Sequence, residues 1–306
     1  MNPVLSSKQL QMLCNSAIQA AQAAGQSIES FDRNNIQRTY KDAGSSAASQ
    51  LVTQADMQSE EIIRQALEKA SKGLNIAFVG EESASGAFSK AKERFEKPCF
   101  WCVDPLDGTL HFAEGRSGYA VSIALVAHSG TPLIGVVYDP ASHVMYQAIQ
   151  GQGCYRDLIP LDMSGAKSSL TAGSSTPLTV YADQSFKTHA GYSFALAALE
   201  SCAHNLNLDG VNLIYGSGAV KNACQVLESS HACYLKLSKK EEGGGSIWDY
   251  AATACLVQEA GAWVSDIQGQ ALDLNRADST FMNHHGVIFA SNEQIAQCLI
   301  DSLQSK

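Results

Sequence analysis

Apolar residues near the start of the chain recur at helical spacing: Leu10, Leu13, Ala17, Ile18, Ala21, Ala24 and Ile28 form one inward-facing stripe. Ser6 and Ser7 stand directly ahead of it and can cap the first turn. Residues 30–50 are polar, with Asn34-Asn35 and Ala43-Gly44-Ser45-Ser46, and read as a long loop. Helical spacing returns over residues 55–70, where Ile62, Ile63, Ala66 and Leu67 would face inward. A short strand, residues 75–79, then stops at Gly80-Glu81-Glu82.

The next apolar run, residues 100–103, delivers Asp104 at its C-terminal end. Residues 119–127, 133–138 and 144–149 are three further strand-like runs separated by Ser129-Gly130 and Asp139-Pro140, the pattern of an antiparallel meander. Residues 164–177 are rich in Ser, Gly and Thr and mark a domain boundary. Beyond them strands at 178–181, 211–214 and 232–237 alternate with helices near 193–203, 219–228 and 248–260, and a strand at 286–290 leads into a last helix. That alternation reads as α/β. The expected division is an α+β domain over 1–170 and an α/β domain over 171–306. No internal repeat is present.

Length agrees with this plan, because 306 residues exceed what one core usually serves. At 45% hydrophobic and 17% charged residues, the composition is that of an ordinary globular protein. A net charge of −9 argues against a nucleic acid polymer or an anionic membrane as partner, since no basic stripe exists to release counterions. An anionic substrate stays open only if the carboxylates hold cations. No apolar run approaches a membrane span, and residues 1–13 do not have the form of a secretory signal. Nine cysteines in apolar contexts read as buried free thiols in a reducing cytoplasm. Cys99-Phe-Trp-Cys102 is a lone C-x-x-C inside a strand; a spacing of three sends the thiols to opposite faces, which argues against joint ligation.

The run Asp104-Pro105-Leu106-Asp107-Gly108-Thr109 carries the most chemistry. Pro105 is expected to stop the strand and Gly108 to permit a tight turn. Two carboxylates three residues apart on such a corner can point to one spot together with the Leu106 carbonyl, an all-oxygen set of the kind Mg²⁺ takes. The N–H groups of Gly108 and Thr109 could hold a phosphate. An acidic surface turn accounts for the same residues. Glu81-Glu82 follows a strand end, while Asp249 and Asp56 each open a helix, positions that the helix dipole favours on its own.

Taken together, Val52-Thr53-x-x-Asp56, Gly80-Glu81-Glu82-Ser83, Asp104-Pro-Leu-Asp107-Gly-Thr109 and Ile247-Trp248-Asp249-Tyr-Ala-Ala252 resemble the inositol monophosphatase superfamily in order and spacing. The likeness extends to Gly135-Val-Val-Tyr-Asp-Pro140, Gly216-Ser217 and Val257-Gln-Glu259-Ala-Gly261. It implies the layered αβαβα sandwich of that family and hydrolysis of a phosphate monoester with lithium as an inhibitor. It also implies that Glu81, Asp104 and the Leu106 carbonyl bind a first Mg²⁺, that Asp104, Asp107 and Asp249 bind a second, and that a weaker third ion sits near Glu81. Asp56 would hydrogen-bond Thr109, and this pair, with Glu81, would help water attack phosphorus. Gly108, Thr109, Gly216, Ser217 and Glu242 are the implied substrate contacts.

This chain departs from the family pattern in places. Thr253 and Ala262 stand where glycines are usual, and Leu110-His111 follows Thr109 where inositol phosphatases carry Thr-Asn and bisphosphate nucleotidases carry Lys. The loop from Lys239 to Ser246 is longer than in the inositol enzymes, where a Glu of this segment binds a sugar hydroxyl; counting back from Asp249 selects Glu242. Lys236, Lys239, Lys240 and Lys221 are candidates to meet a second phosphate, although exposed lysines are ordinary. The expected substrate is an inositol monophosphate or similar small polyol phosphate. The alternative is a 3′(2′),5′-bisphosphate nucleotide of the 3′-phosphoadenosine 5′-phosphate type. A non-catalytic phosphate-binding relative would have lost a metal carboxylate or Thr109, and all are present. The oligomeric state is open, a homodimer included.

Overall fold

The computed structural model describes residues 5–32, 39–40, 51–52, 54–84, 91–165 and 176–304. Most of the expected loop at 30–50, Thr53, and the greater part of the expected boundary at 164–177 lie outside the described residues.

The chain opens with helix α1 (Ser7–Glu29), whose Ser6 and Gln9 cap each other reciprocally. Strands β1 (Thr39–Tyr40) and β2 (Leu51–Val52) pair antiparallel. Helix α2 (Gln54–Ala70), strand β3 (Ile76–Gly80), the short helix α3 (Glu81–Ala84), strand β4 (Cys99–Asp107) and the short helix α4 (Thr109–Ala113) follow. Strands β5 (Ala120–Ala127), β6 (Pro132–Asp139), β7 (Val144–Ile149), β8 (Cys154–Arg156) and β9 (Ile159–Leu161) complete the first half. The second half runs β10 (Leu178–Tyr181), α5 (Tyr192–Asn205), β11 (Val211–Ile214), α6 (Ala219–Val226), β12 (Ala232–Lys236), α7 (Ile247–Glu259), β13 (Trp263–Ser265), β14 (Val287–Ala290) and α8 (Glu293–Gln304).

Strands β3 to β9 form a seven-stranded sheet in sequence order. The β3–β4 pair is parallel and the others are antiparallel, so the expected meander is longer by the β8–β9 hairpin. That hairpin has strands of three residues each, too short to show a period. Strands β10 to β14 form a five-stranded sheet in the order β11-β10-β12-β14-β13. Its pairs are parallel among β10, β11 and β12 and antiparallel around β14, so the second half is a mixed sheet.

Alternating side chains of the seven-stranded sheet fill two cores, as the pleat requires. Trp101, Val103, Val121 and Ile123 pack with α1 and α2 on one face. Phe100, Cys102, Ala124 and Val137 pack with α6 and α7 on the other. Cys99 belongs to the first core and Cys102 to the second, which keeps the thiols apart. The inner face of the five-stranded sheet, through Tyr234, Val287 and Phe289, closes on α6 and α7 from the far side. Its outer face packs against α5 and α8. The layers are therefore helix, sheet, helix, sheet, helix: the αβαβα sandwich. The middle core joins residues from both sides of position 170.

All nine cysteines are free, and eight of them are buried. Among the described residues no helix is long and apolar enough to cross a membrane.

Candidate metal centre

Strand β4 does not stop at Pro105. It continues to Asp107, and its pairing with β5 shifts register between Asp104 and Asp107. Proline donates nothing to a ladder, and a bulge is a place where that costs little. The irregularity re-aims the strand end, and both carboxylates become buried there. Asp104 Oδ1 accepts the Leu106 N–H at 3.0 Å. Ser59 of α2 donates to the Pro105 carbonyl at 2.8 Å and pins the bulge from below. Gly108 then turns the chain with φ of +81°; a Cβ there would come within 2.7 Å of the Gly118 carbonyl oxygen.

Thr109 opens α4, and its hydroxyl lies 2.8 Å from Asp56 Oδ1 and 3.0 Å from the Leu106 carbonyl oxygen. A hydroxyl has one proton, and the carboxylate is the stronger acceptor. Asp56 stands buried in the first turn of α2, where helix N–H groups favour negative charge. Glu81 begins α3, half-buried. The start of α3 is held by Glu60, whose carboxylate accepts the Glu82 and Ser83 N–H groups at 2.7 and 2.9 Å.

Asp249 comes from the other half of the chain, in the first turn of α7, and its Oδ2 accepts the Ser246 N–H at 2.6 Å in a capping box. Asp107 reaches across to that half as well. Its two oxygens accept the Ala219 and Val220 N–H groups, at 3.1 and 3.0 Å, at the opening of α6. Only a glycine at 218 allows this, since a Cβ there would lie 2.2 Å from Asp107 Oδ2.

Carboxylate oxygens of Asp104, Asp107 and Asp249 lie within 4.8 Å of one another. Burial pushes the Asp104 carboxyl well above its ordinary pKa, and the charges of Glu81, Asp107 and Asp249 add to that. Burial, then Asp249 and Asp183, do the same to Asp107. Asp249 is raised to about 6 by burial, with Lys236 opposing and Glu81 adding. Glu81 thus stands close enough to join the group. Four acids crowded at a buried point repel one another, and a hard divalent cation relieves that repulsion with the oxygen ligands it prefers. The residues present fit Mg²⁺.

Gly216 and Ser217 meet the same corner: the Gly218 N–H donates to the Gly118 carbonyl at 2.8 Å, and Gly118 in turn backs onto Gly108. Other expected contacts do not converge. Glu242 is exposed, and its charge falls on Arg276. Lys221 is ion-paired with Asp139. Asp183, just after β10, has no motif to announce it, yet it lies 2.7 Å from Lys236 Nζ and its charge raises both Asp107 and Asp249.

Residues 9–306 match the model of the inositol monophosphatase family. The chain belongs to that family. Among relatives of this inositol monophosphatase-family protein, an inositol-1-monophosphatase of Mesorhizobium japonicum is 30% identical over 95% of this chain and 96% of its own length. The 3′(2′),5′-bisphosphate nucleotidase CysQ of Escherichia coli O157:H7 is 30% identical over 79% of this chain and 86% of its own. Solved structures agree on the fold. An inositol monophosphatase from Anabaena superposes with a TM-score of 0.67 at 22% identity, over 97% of this chain and 96% of that one. The extragenic suppressor protein SuhB from Bartonella henselae gives 0.67 at 25%, over 95% and 98%.

Proposed function

We propose that this family member is a Mg²⁺-dependent phosphomonoesterase that hydrolyses a small phosphate monoester by direct attack of water. The observation that carries the reading is the buried convergence of Asp104, Asp107 and Asp249 beside the Thr109–Asp56 hydrogen bond. Glu81, Asp104 and the Leu106 carbonyl would hold one ion, Asp104, Asp107 and Asp249 a second, and a third, weaker ion would lie near Glu81. When bound, such ions neutralise the carboxylates, clamp phosphate oxygens and acidify water.

The chain's own residues complete the chemistry. Asp56 accepts the Thr109 proton, which turns the Thr109 lone pairs toward the cleft. There they accept a hydrogen bond from the attacking water and fix its line of approach. Glu81, beside Asp104, takes the proton that this water loses. Water adds to phosphorus as the ester P–O bond breaks, the departing oxygen takes up a proton from solvent, and the products are inorganic phosphate and an alcohol. Gly108, Thr109, Gly216 and Ser217 form the corner that receives the phosphate. No thiol competes as nucleophile: burial raises Cys102, the cysteine nearest the run, far above its ordinary pKa.

Polyol monophosphates and bisphosphorylated nucleotides both suit this chemistry and differ only in what surrounds the ester. The polyol reading assigns the sugar contact to Glu242, which is exposed. The test is phosphate release from a panel of inositol phosphates, sugar phosphates and bisphosphorylated nucleotides, with Mg²⁺, with EDTA and with Mg²⁺ plus millimolar lithium. Turnover with Mg²⁺ that EDTA abolishes and lithium inhibits is the expected result. Full activity in EDTA would refute the metal assignment.

A further inference from the structure

Gly80 stands directly ahead of α3 and has no side chain with which to cap it. The first N–H groups of a helix need acceptors from elsewhere. Glu60 of α2 supplies them from 22 residues away: its Oε2 accepts the Glu82 N–H at 2.7 Å, and its Oε1 accepts the Ser83 N–H at 2.9 Å. Glu60 is only 6% exposed. Burial pushes its pKa up, the Ser83 hydroxyl and the two N–H groups oppose that, and the charge of Glu81 adds to it. Gly80 is what lets the carboxylate come so close, because a Cβ there would lie 2.5 Å from Glu60 Cδ and 2.9 Å from Phe78 Cε1.

Asp56, Ser59 and Glu60 lie at i, i+3 and i+4 and so share one face of α2. Asp56 holds Thr109, Ser59 holds the Pro105 carbonyl of the bulge, and Glu60 holds α3. Of these three pieces α3 depends most on what holds it. It has four residues, none of them buried, far too few for a helix to stand by itself. Its one apolar side chain, Ala84, is only partly buried against the middle core. Glu81 leaves α3 to meet Asp104 in a hydrogen bond between the two carboxyl groups, so its placing rests on the Glu60 clamp. Asp107 and Asp249 do not share that dependence, because their oxygens are held by the Ala219, Val220 and Ser246 N–H groups.

We propose that Glu60 is a positioning residue that sets the affinity of the ions ligated by Glu81, while touching neither ion nor substrate. The proposal rests on the metal-dependent reading above and names the outer residue that decides occupancy on the Glu81 side of the centre. Groups that orient a metal ligand without binding the metal govern affinity by about ten- to a hundredfold. An ion held by Asp104, Asp107 and Asp249 keeps its ligands when α3 is displaced, so the two kinds of ion respond differently to loss of the clamp.

The experiment titrates metal-stripped protein with Mg²⁺ by calorimetry, follows hydrogen exchange of the Glu82 and Ser83 amides in EDTA, and measures kcat and KM against Mg²⁺ concentration. Glu60→Gln keeps the size of the side chain but turns an amide NH₂ toward one of the two N–H groups. Gly80→Ala leaves every charge in place and drives the Glu60 carboxylate away; the φ of Gly80 is not positive, so alanine is unstrained there. Both variants should speed exchange of the two amides. Both should also weaken one class of Mg²⁺ binding about ten- to a hundredfold and leave the other at its wild-type value. The Mg²⁺ concentration for half-maximal turnover should rise in step, with kcat largely recovered at saturating Mg²⁺. Wild-type exchange and isotherms in Glu60→Gln overturn the proposal, as does equal weakening of both classes. Weaker binding in Glu60→Gln but not in Gly80→Ala overturns it too, since the effect then belongs to the charge of Glu60 and not to placement. Should Glu60→Gln fail to fold, Gly80→Ala decides on the same readings. A wild-type protein that binds no Mg²⁺ brings down the metal-dependent reading itself, whereas unaltered variants of a protein that does bind it bring down only the role of Glu60.

Discussion

Asp104 is the residue on which both implied ions depend. Replacing it with Asn keeps the shape but removes the shared charge, and kcat should fall by about a thousandfold with Mg²⁺ saturating; phosphate release measures it. The same crowding predicts how the metal-stripped protein responds to pH. Asp104, Asp107 and Asp249 all have folded-state pKa values raised above the unfolded ones. The folded state then binds protons more tightly than the unfolded one, so the stability from these groups is full below about pH 4 and lost as pH rises through about 6 and beyond. Melting temperature in EDTA should fall between about pH 5 and pH 8, and Mg²⁺ should recover most of that loss at the upper end. A flat profile in EDTA would show that the carboxylates do not repel one another. The Asp104 to Thr109 run was legible in the sequence because its ligands are local, three residues apart on one corner. Asp183 and Glu60 were not legible. Their work is to hold Lys236 and the start of α3, and nothing in their own neighbourhoods shows what folding will bring against them.

Among the elements, α7 does two jobs. It carries Asp249 in its first turn, and its middle packs against the seven-stranded sheet at Gly135 of β6, where a Cβ would meet the Ala252 carbonyl oxygen at 2.4 Å and Cys255 Cβ at 2.8 Å. Gly135→Val should therefore push the helix off the sheet, costing about 1–3 kcal/mol, and lower activity with stability because Asp249 travels with the helix. Denaturant unfolding and kcat measured on one preparation check both, and wild-type values for both would show that the contact is slack. The helix itself was readable from its cap and apolar run, but its depth was not. Its buried residues go nearly all round, from Trp248 to Val257, which fits a helix covered on two sides rather than a surface one. Strand β4 misled at its end for a related reason: proline usually ends a strand, and the bulge that accommodates it is a property of the pairing with β5.

At the scale of the whole molecule, the division at 170 separates the two sheets but not the cores. Tyr234, Ala252, Cys255 and Phe289 share one apolar cluster with Phe100, Ala124 and Val137. A fragment of residues 1–170 would expose the face of its sheet that α6 and α7 cover. It should lack cooperative thermal unfolding, and co-expression with residues 171–306 should restore it. Cooperative unfolding of the isolated fragment would show that the halves are independent domains.

The reach of Asp107 to the first turn of α6, and the arrival of Asp249 on α7, also set a clock during synthesis. Glu81, Asp104 and Thr109 leave the ribosome more than a hundred residues before the helices that Asp107 and Asp249 require, so their acids wait without their partners. Until α7 emerges and docks, the nascent chain lacks the Asp249 carboxylate and has no complete metal centre. Catalytic competence is therefore one of the last properties the growing polypeptide acquires, and a translational pause before residue 247 would hold it inert.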